Sequence, residues 1–266
     1  MTVTINPDGT GLIEAVAERE RVLSRTRPSG VRRNIQADLE QVWVANLDQV
    51  IFVFSIRKPR PSLRKLDRFL VVAEMNELPA VICVNKIDLS DQGEAQALFS
   101  PYEELVDGII FTSALRGDGI EQLKACLKDK ITVLVGSSGV GKTSLLNLIQ
   151  PGLGKRVAEV SSATEKGLHT TRYIELIPLD MGGYVADTPG IRSLALYDLE
   201  PGELDGYFRE IAPLVTDCQF SDCTHRHEPN CAVRMAVADG RISPARYDSY
   251  LRLREEHELL EQSEFD

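Results

Sequence analysis

Short apolar runs rich in β-branched residues alternate with helix-like segments over much of the chain. The runs are QVIFVFS at 49–55, AVICVN at 80–85, GIIFTS at 108–113, ITVLVG at 131–136 and YVADTP at 184–189. Segments with helical spacing lie between them, at 62–77, 93–105, 119–129 and 142–149. Because buried strands that alternate with helices form mostly parallel sheets covered on both faces, the pattern predicts an α/β fold.

Three parts of the chain depart from this alternation. The stretch YIELIPLD at 173–180 precedes Gly182 and Gly183, which predicts a hairpin and one antiparallel strand. The first 40 residues hold one strand-like stretch, GLIEAVAERE at 11–20, which is too little to close a barrel. After Thr188 the pattern predicts helices punctuated by turns.

The composition is that of a globular protein, since the 266 residues are 43% hydrophobic and 26% charged. No secretory signal is visible at the start, and no apolar run approaches the roughly 18 residues that span a bilayer. We therefore expect a cytoplasmic protein with no membrane partner. The net charge of −10 argues against general nucleic-acid binding. Basic runs at 19–33 and 57–68 leave an RNA-binding surface open, although such runs are more often solvated faces.

The segment GSSGVGKT at 136–143 has the features of a phosphate-binding loop, because it follows an apolar strand and opens a helix. Its backbone N–H groups would surround the phosphates, and Lys142 would reach the β- and γ-phosphate oxygens. The Thr143 hydroxyl would bind Mg²⁺. A plain glycine turn is the structural alternative. The predicted nucleotide contacts here are Gly136, Ser137, Ser138, Gly139, Val140, Gly141, Lys142, Thr143 and Ser144.

The tetrapeptide NKID at 85–88 ends an apolar strand, where open α/β sheets bind ligands. Asp88 can accept hydrogen bonds from the guanine N1–H and exocyclic amine, and adenine lacks that pair of donors. Asn85 would contact the other purine edge, and the stem of Lys86 would lie along the base. The next strand ends in Ser113 and Ala114, which could contact the guanine O6. Each motif alone could equally be a strand-end turn.

A third strand end carries DTPG at 187–190, which places Asp187 to hold Mg²⁺ through water and the Gly190 N–H near a γ-phosphate. The base-reading motif precedes the phosphate loop, which reverses the order in ordinary GTPases. Joining the old termini of a parallel sheet and cutting it elsewhere leaves the pocket intact. The order of motifs therefore predicts a circularly permuted GTPase.

The segment GLHTTR at 167–172 would form a switch that orders with GTP. Thr170 and Thr171 are both candidates to bind Mg²⁺ there, and we assign Thr171. Ile191 follows the DTPG glycine, where a glutamine orients water in Ras-type enzymes, and an aliphatic side chain cannot do so. We therefore assign His169 as the catalytic residue that polarises water, beside Lys142; a surface histidine without a role is the alternative.

A cysteine cluster lies near the C-terminus, with the spacing Cys218-x4-Cys223-x-His225-x5-Cys231. Three thiolates and one imidazole suit a closed, tetrahedral Zn²⁺ site. His227 competes with His225 for the fourth position, and a redox or buried-thiol role is the alternative to a metal.

Taken together, the motifs NKIDL, TSA, VGSSGVGKTSLLN, HTTR, DTPGI and CQFSDCTHRHEPNCAV resemble the small ribosomal subunit-dependent GTPase A family of bacterial circularly permuted GTPases. The resemblance covers about residues 8–255. It implies hydrolysis of GTP to GDP with Mg²⁺ in late maturation of the small ribosomal subunit, with the subunit and its rRNA as partners. It also implies one structural Zn²⁺ held by Cys218, Cys223, His225 and Cys231.

Members of that family carry an N-terminal OB-fold, of which this chain matches the last part only, with SGVRRNIQADLEQ at 29–41 as an insertion. We expect a partial OB-like segment at 1–40, a permuted P-loop GTPase domain at 41–196 and a helical zinc-binding domain at 197–266. We expect a monomer. The rival hypothesis is a nucleotide-gated RNA-binding or scaffold protein with negligible turnover.

Overall fold

The structure is a computed structural model that describes residues 41–91, 93–157, 175–187 and 201–264. Toward the N-terminus it also describes residues 2–5, 7, 10–15, 18–19 and 22–25. Two antiparallel pairs of strands lie in this N-terminal part. Strand β1 (Thr2–Ile5) pairs with β2 (Gly11–Ala15), and β3 (Val22–Arg25) pairs with β4 (Gln41–Ala45). The predicted domain boundary at residue 40 thus falls just before a strand that pairs with the N-terminal segment, and it stays a prediction.

The remaining strands form one six-stranded sheet with the spatial order β7-β6-β5-β8-β10-β9. They are β5 (Gln49–Ser55), β6 (Ala80–Asn85), β7 (Gly108–Phe111), β8 (Ile131–Val135), β9 (Glu175–Pro178) and β10 (Tyr184–Asp187). Every neighbouring pair is parallel except β9 with β10, which forms the expected hairpin. Gly182 and Gly183 make its turn with φ of 88° and 85°, a region that glycine adopts without strain.

Six α-helices lie wholly within the described residues. They are α1 (Leu63–Met75), α2 (Glu94–Phe99), α3 (Ile120–Leu127), α4 (Lys142–Ile149), α5 (Ala232–Ala238) and α6 (Pro244–Glu264). The helix predicted over 93–105 ends earlier than expected. It ends at Phe99 and continues as a 3-10 turn over Ser100–Tyr102, because Pro101 has no N–H to continue the α-helical hydrogen bonds. None of the described helices is both long and apolar enough to cross a membrane.

Strand β5 separates the two halves of the core, because successive side chains of a strand point to opposite faces. Phe52 and Phe54 belong to the apolar cluster that contains Leu66 of α1. Ile51 and Val53 belong to the other cluster, together with buried residues of α3 and α4. The sheet is therefore covered on both faces, as the sequence predicts.

The C-terminal part of the chain shares the core on the α1 face. Phe208 and Tyr250 are fully buried in the same cluster as Leu66, and their rings meet edge to face at 5.5 Å. Cys223 and Cys231 line this cluster as well. The cysteine-bearing module is therefore packed onto the sheet domain through α1.

Candidate nucleotide site and metal centre

The phosphate loop joins β8 to α4 at the carboxyl edge of the sheet. Gly141 has a φ of 100°, and a Cβ added there would lie 2.3 Å from Asn85 Nδ2. A Cβ on Gly136 would lie 2.3 Å from the Val53 carbonyl oxygen. Lys142 Nζ donates to the carbonyl oxygens of Gly136 at 2.5 Å and Ser137 at 3.1 Å. The loop thus needs glycine at these positions, and the lysine ammonium lies against it.

Asn85 connects three of the predicted motifs from a fully buried position. Its Nδ2 donates to the carbonyl oxygen of Val140 in the phosphate loop at 2.9 Å. Its Oδ1 accepts from the Ala114 N–H at 3.1 Å and from the Thr112 hydroxyl at 3.2 Å. An amide nitrogen carries two hydrogens, so Nδ2 can still donate to a ligand. The strand ends that carry NKID, TSA and the phosphate loop are therefore joined at one edge.

Asp88 and Ser113 hold each other at the same edge. The Ser113 hydroxyl donates to Asp88 Oδ1 at 2.5 Å and accepts from the Arg116 N–H at 3.1 Å. The backbone of Ser113 also pairs with Asp118. One carboxylate oxygen of Asp88 is fixed in this way, which orients the group for a ligand. The Ser113 hydroxyl and the Ala114 N–H donate to Asp88 and Asn85, respectively. Their contacts with guanine O6 therefore stay predictions.

Lys86 joins NKID to two further segments. It has a left-handed backbone with φ of 63°, and its Nζ donates to the Gly139 carbonyl oxygen at 2.6 Å. The same nitrogen donates at 2.5 Å to the carbonyl oxygen of Lys58, in the loop between β5 and α1. The sequence did not predict this contact, because it depends on a backbone oxygen that has no residue signature.

Asp187 ends β10, whose neighbour β8 leads into the phosphate loop. Its backbone therefore lies at the edge that the sequence predicted. The other candidates of the switch and DTPG segments, His169, Thr170, Thr171, Gly190 and Ile191, lie outside the described residues.

The cysteine cluster is assembled in space. One ligand atom from each of Cys218, Cys223, His225 and Cys231 lies within 4.8 Å of the others. His225 Nδ1 is 3.3 Å from Cys231 Sγ and 3.6 Å from Cys218 Sγ, and the two sulfurs are 3.9 Å apart. Ligands at tetrahedral Zn²⁺ are about 3.6–3.8 Å apart, given the usual Zn–S and Zn–N lengths. The donor set and its spacing therefore fit zinc.

The structure also distinguishes the two candidate histidines. The side chain of His225 is fully buried, whereas His227 is exposed and its ring is not part of the cluster. On its other side, His225 Nε2 lies 3.2 Å from Asp205 Oδ2. A carboxylate on the outer nitrogen of a metal-binding histidine fixes its orientation and raises its basicity. The sequence did not predict Asp205.

Glu228 organises the loop that carries His225. Its carboxylate accepts from the Thr224 hydroxyl at 2.5 Å and from the backbone N–H groups of Thr224, Arg226 and His227 at 2.8, 2.9 and 3.1 Å. Burial alone would raise the pKa of Glu228, but these hydrogen bonds hold it below its usual range. Burial raises the pKa of the Cys223 thiol to about 12, so the proton must leave when a metal binds.

A buried ion-pair network connects the module to α1. Arg246 of α6 donates to Asp67 Oδ1 of α1 at 2.6 Å and to Glu210 Oε1 at 2.6 Å. Asp67 also accepts from the hydroxyls of Tyr102, at 2.8 Å, and Ser249. The side chains of Asp67 and Arg246 are 3% and 4% exposed. Both charges are therefore shielded from water and depend on each other.

Comparisons with known proteins identify the family of this chain. A family model described as RsgA GTPase matches residues 16–197. A small ribosomal subunit biogenesis GTPase RsgA from Thermotoga maritima is 44% identical over 256 residues, which cover 94% of this chain and 80% of the relative. A relative of the same name from Gemmatimonas aurantiaca is 44% identical over 247 residues, which cover 93% of this chain and 78% of the relative.

Two solved structures are similar along nearly the whole chain. The crystal structure of YjeQ from Thermotoga maritima aligns with a TM-score of 0.77 and 40% identity, covering 96% of this chain and 81% of that one. YloQ, described as a circularly permuted GTPase, aligns with a TM-score of 0.71 and 32% identity, covering 96% and 78%. The expected permuted fold is confirmed, since β8 lies at the centre of the sheet although β5, β6 and β7 precede it. This chain belongs to the RsgA GTPase family.

Proposed function

We propose that this protein hydrolyses GTP to GDP and phosphate in the late maturation of the small ribosomal subunit, and that the subunit stimulates the reaction. The observation that carries the proposal is the set of hydrogen bonds around Asn85, which bring the base-reading motifs to the phosphate loop. The relatives named as small ribosomal subunit biogenesis GTPases supply the biological setting.

Guanine would be selected by Asp88, whose carboxylate pairs with two neighbouring donors of that base. The hydrogen bond from Ser113 supports this role, because it fixes one carboxylate oxygen before the base arrives. The second hydrogen of Asn85 Nδ2 would serve the other purine edge, and the stem of Lys86 would cover a ring face. Ser113 and Ala114 would line the O6 side.

The phosphates would lie over the loop from Gly136 to Ser144, with its N–H groups as donors and the Lys142 ammonium as counter-charge. The Thr143 hydroxyl and Asp187 would hold Mg²⁺, which neutralises charge on the transferred phosphoryl group when bound. Thr171 and Gly190 would complete the γ-phosphate side. His169 would polarise the attacking water.

Zinc would have a structural role at Cys218, Cys223, His225 and Cys231. These four ligands would fill a tetrahedral shell and would leave no position for a substrate. The domain division proposed is 1–40, 41–196 and 197–266, with the zinc module as the last unit. Because the proposed site of action is the ribosome, we place the protein in the cytoplasm. We propose that it binds the small subunit and its rRNA as a monomer.

Nucleotide competition tests the proposal at the pocket. The parent should bind GTP and GDP well and ATP poorly, and Asp88→Asn should weaken GTP binding by about 30–800-fold, or roughly 2–4 kcal/mol. Asp91→Asn, just outside the motif, is the matched control and should bind GTP as the parent does. Equal binding of ATP and GTP by the parent would refute the guanine assignment, and binding without turnover would favour the nucleotide-gated scaffold.

A further inference from the structure

The basic run at 57–68 divides into paired and unpaired side chains in the structure. Arg57 Nη2 donates to both carboxylate oxygens of Glu94, each at 2.8 Å. Arg68 pairs with Glu256, and the single acid of the run, Asp67, is buried against Arg246. These interactions leave four cations, which we name the basic face: Lys58, Arg60, Arg64 and Lys65.

All four side chains of the basic face are exposed. Among the described residues, no carboxylate forms an ion pair with any of them within 4.0 Å. The first turn of α1, which carries Arg64 and Lys65, also contains no acid. The basic face is therefore a local concentration of positive charge without a direct ion-pair partner among the described residues, on a chain whose net charge is −10.

The backbone beneath the basic face is held in place before any partner binds. The Ser55 hydroxyl donates to the Pro59 carbonyl oxygen at 2.8 Å, and Lys86 donates to the Lys58 carbonyl oxygen at 2.5 Å. Helix α1 then fixes Arg64 and Lys65 on its first turn. A partner would therefore not have to order this segment, which lowers the entropic cost of binding.

The composition of the face indicates a phosphate-rich partner and not a protein. No large exposed hydrophobic side chain lies within the described residues 55–75, whereas protein interfaces rely on apolar and aromatic anchors. The aromatic ring of this stretch, Phe69, is half-buried and stacks on Phe52 at 5.3 Å within the protein, which argues against base stacking. Charge alone remains as the means of recognition, and it suits the phosphodiester backbone of RNA.

We propose that the basic face binds the RNA phosphodiester backbone without reading its sequence. The proposal deepens the function above, since it assigns an rRNA contact to the protein. The face adjoins the nucleotide pocket, because Arg64 and Lys65 line a cavity of about 830 Å³ together with Gly136, Ser137 and Ser138 of the phosphate loop. The far side of this cavity carries Glu255 and Glu256 of α6, so the RNA backbone would lie on the side of the basic face. RNA bound there lies beside the segment that Lys86 ties to the loop.

Salt-dependent binding is the direct test, with purified small ribosomal subunits and a short mixed-sequence RNA duplex as two separate probes. Arg64→Glu/Lys65→Glu should lower the affinity for both probes by about 10–50-fold near 0.1 M salt. The slope of log affinity against log salt should become shallower by about 1.5 for the duplex, since each lost phosphate contact removes roughly 0.7–0.9. GDP affinity is measured on the same variant and both probes are titrated at saturating GDP, so that an effect of the new charges on the adjoining phosphate loop is separated from the loss of RNA binding.

Lys124→Glu/Lys128→Glu is the matched control, since it makes the same change in net charge on α3 and at its C-terminal cap, and α3 covers the opposite face of the sheet. It should bind both probes as the parent does. If Arg64→Glu/Lys65→Glu fails to fold, the neutral pair Arg60→Gln/Arg64→Gln gives the same test, with the slope again shallower by about 1.5.

The outcomes separate this proposal from the function it rests on. A parent that does not bind subunits refutes the proposed function, whatever the variants do. If the parent binds and the charge-reversed variant binds both probes equally well, the basic face is only a solvated surface. A variant that loses the subunit but keeps the duplex would assign the face to an acidic ribosomal protein and overturn the RNA assignment.

Discussion

The side chain of Asn85 donates a 2.9 Å hydrogen bond to the carbonyl oxygen of Val140, so the base-reading motif and the phosphate loop are in direct contact. Asn85 ends β6, whereas Val140 lies in the loop between β8 and α4, 55 positions further along the chain. Because circular permutation changes chain order and leaves strand packing unchanged, this contact is available whichever motif comes first. It explains how a chain with reversed motif order forms one pocket.

Asn85→Ala should weaken GTP binding and also lower the stability of the fold. The substitution removes three buried hydrogen bonds and leaves the Val140 carbonyl and the Ala114 N–H without that partner, at a cost of about 1–3 kcal/mol per group. We expect GTP affinity to fall at least about tenfold and stability to fall as well. Calorimetric titration with GTP and denaturant unfolding measure the two effects.

Asn76→Ala is the matched control for this variant. Asn76 also donates a side-chain hydrogen bond to a carbonyl oxygen, that of Val72 at 2.7 Å, but it lies at the end of α1. It should lower stability and leave GTP affinity unchanged. If Asn85→Ala binds GTP as tightly as Asn76→Ala, the contact with Val140 does not organise the pocket.

Asp205→Asn should weaken the metal centre without removing a ligand. Asp205 lies 3.2 Å from the outer nitrogen of His225, and losing such a carboxylate typically lowers metal affinity about 10–100-fold. Competition with a zinc chelator, followed by metal analysis, measures the loss. Asp222→Asn, which changes an exposed acid next to Cys223, should retain zinc as the parent does. Equal zinc retention by both variants would show that Asp205 does not support the site.

Asp67→Asn should destabilise the attachment of the zinc module to α1. Removing one partner of a buried ion pair costs about 3–5 kcal/mol when the other charge is left unpaired. Because Arg246 keeps its ion pair with Glu210, we expect a loss of about 3 kcal/mol, at the lower end of that range. Asp248→Asn breaks the exposed pair with Arg252 and should cost less than about 1 kcal/mol. Chemical denaturation of both variants measures the difference. If both variants lose a similar free energy of unfolding, the buried ion pair contributes no more to stability than the exposed pair does.

His169→Ala should lower the rate of GTP hydrolysis and leave GDP affinity nearly unchanged. The expectation follows from Ile191, which cannot orient water, and from the transition-state role proposed for the histidine. Turnover with and without small subunits, together with GDP titration, measures it. A variant that hydrolyses GTP as fast as the parent under both conditions would make His169 a bystander.

The sequence predicted most of the sheet, because its buried strands are continuous apolar runs that differ clearly from the helices between them. It also located the phosphate loop, NKID and the cysteine cluster, since each has fixed residue types at a fixed spacing. It could not predict that Lys86 binds the Lys58 carbonyl, because any residue supplies that oxygen. Nor could it pair Asp67 with Arg246, which lie 179 positions apart and belong to no motif.

The most direct test of the account is steady-state GTP turnover by the parent protein, measured with increasing amounts of purified small ribosomal subunits. Turnover should be slow for the isolated protein, rise with subunit concentration to a plateau, and remain unaffected by an excess of ATP. Turnover that subunits leave unchanged, or that ATP suppresses as effectively as GDP does, would contradict a guanine-specific GTPase that acts on the small subunit.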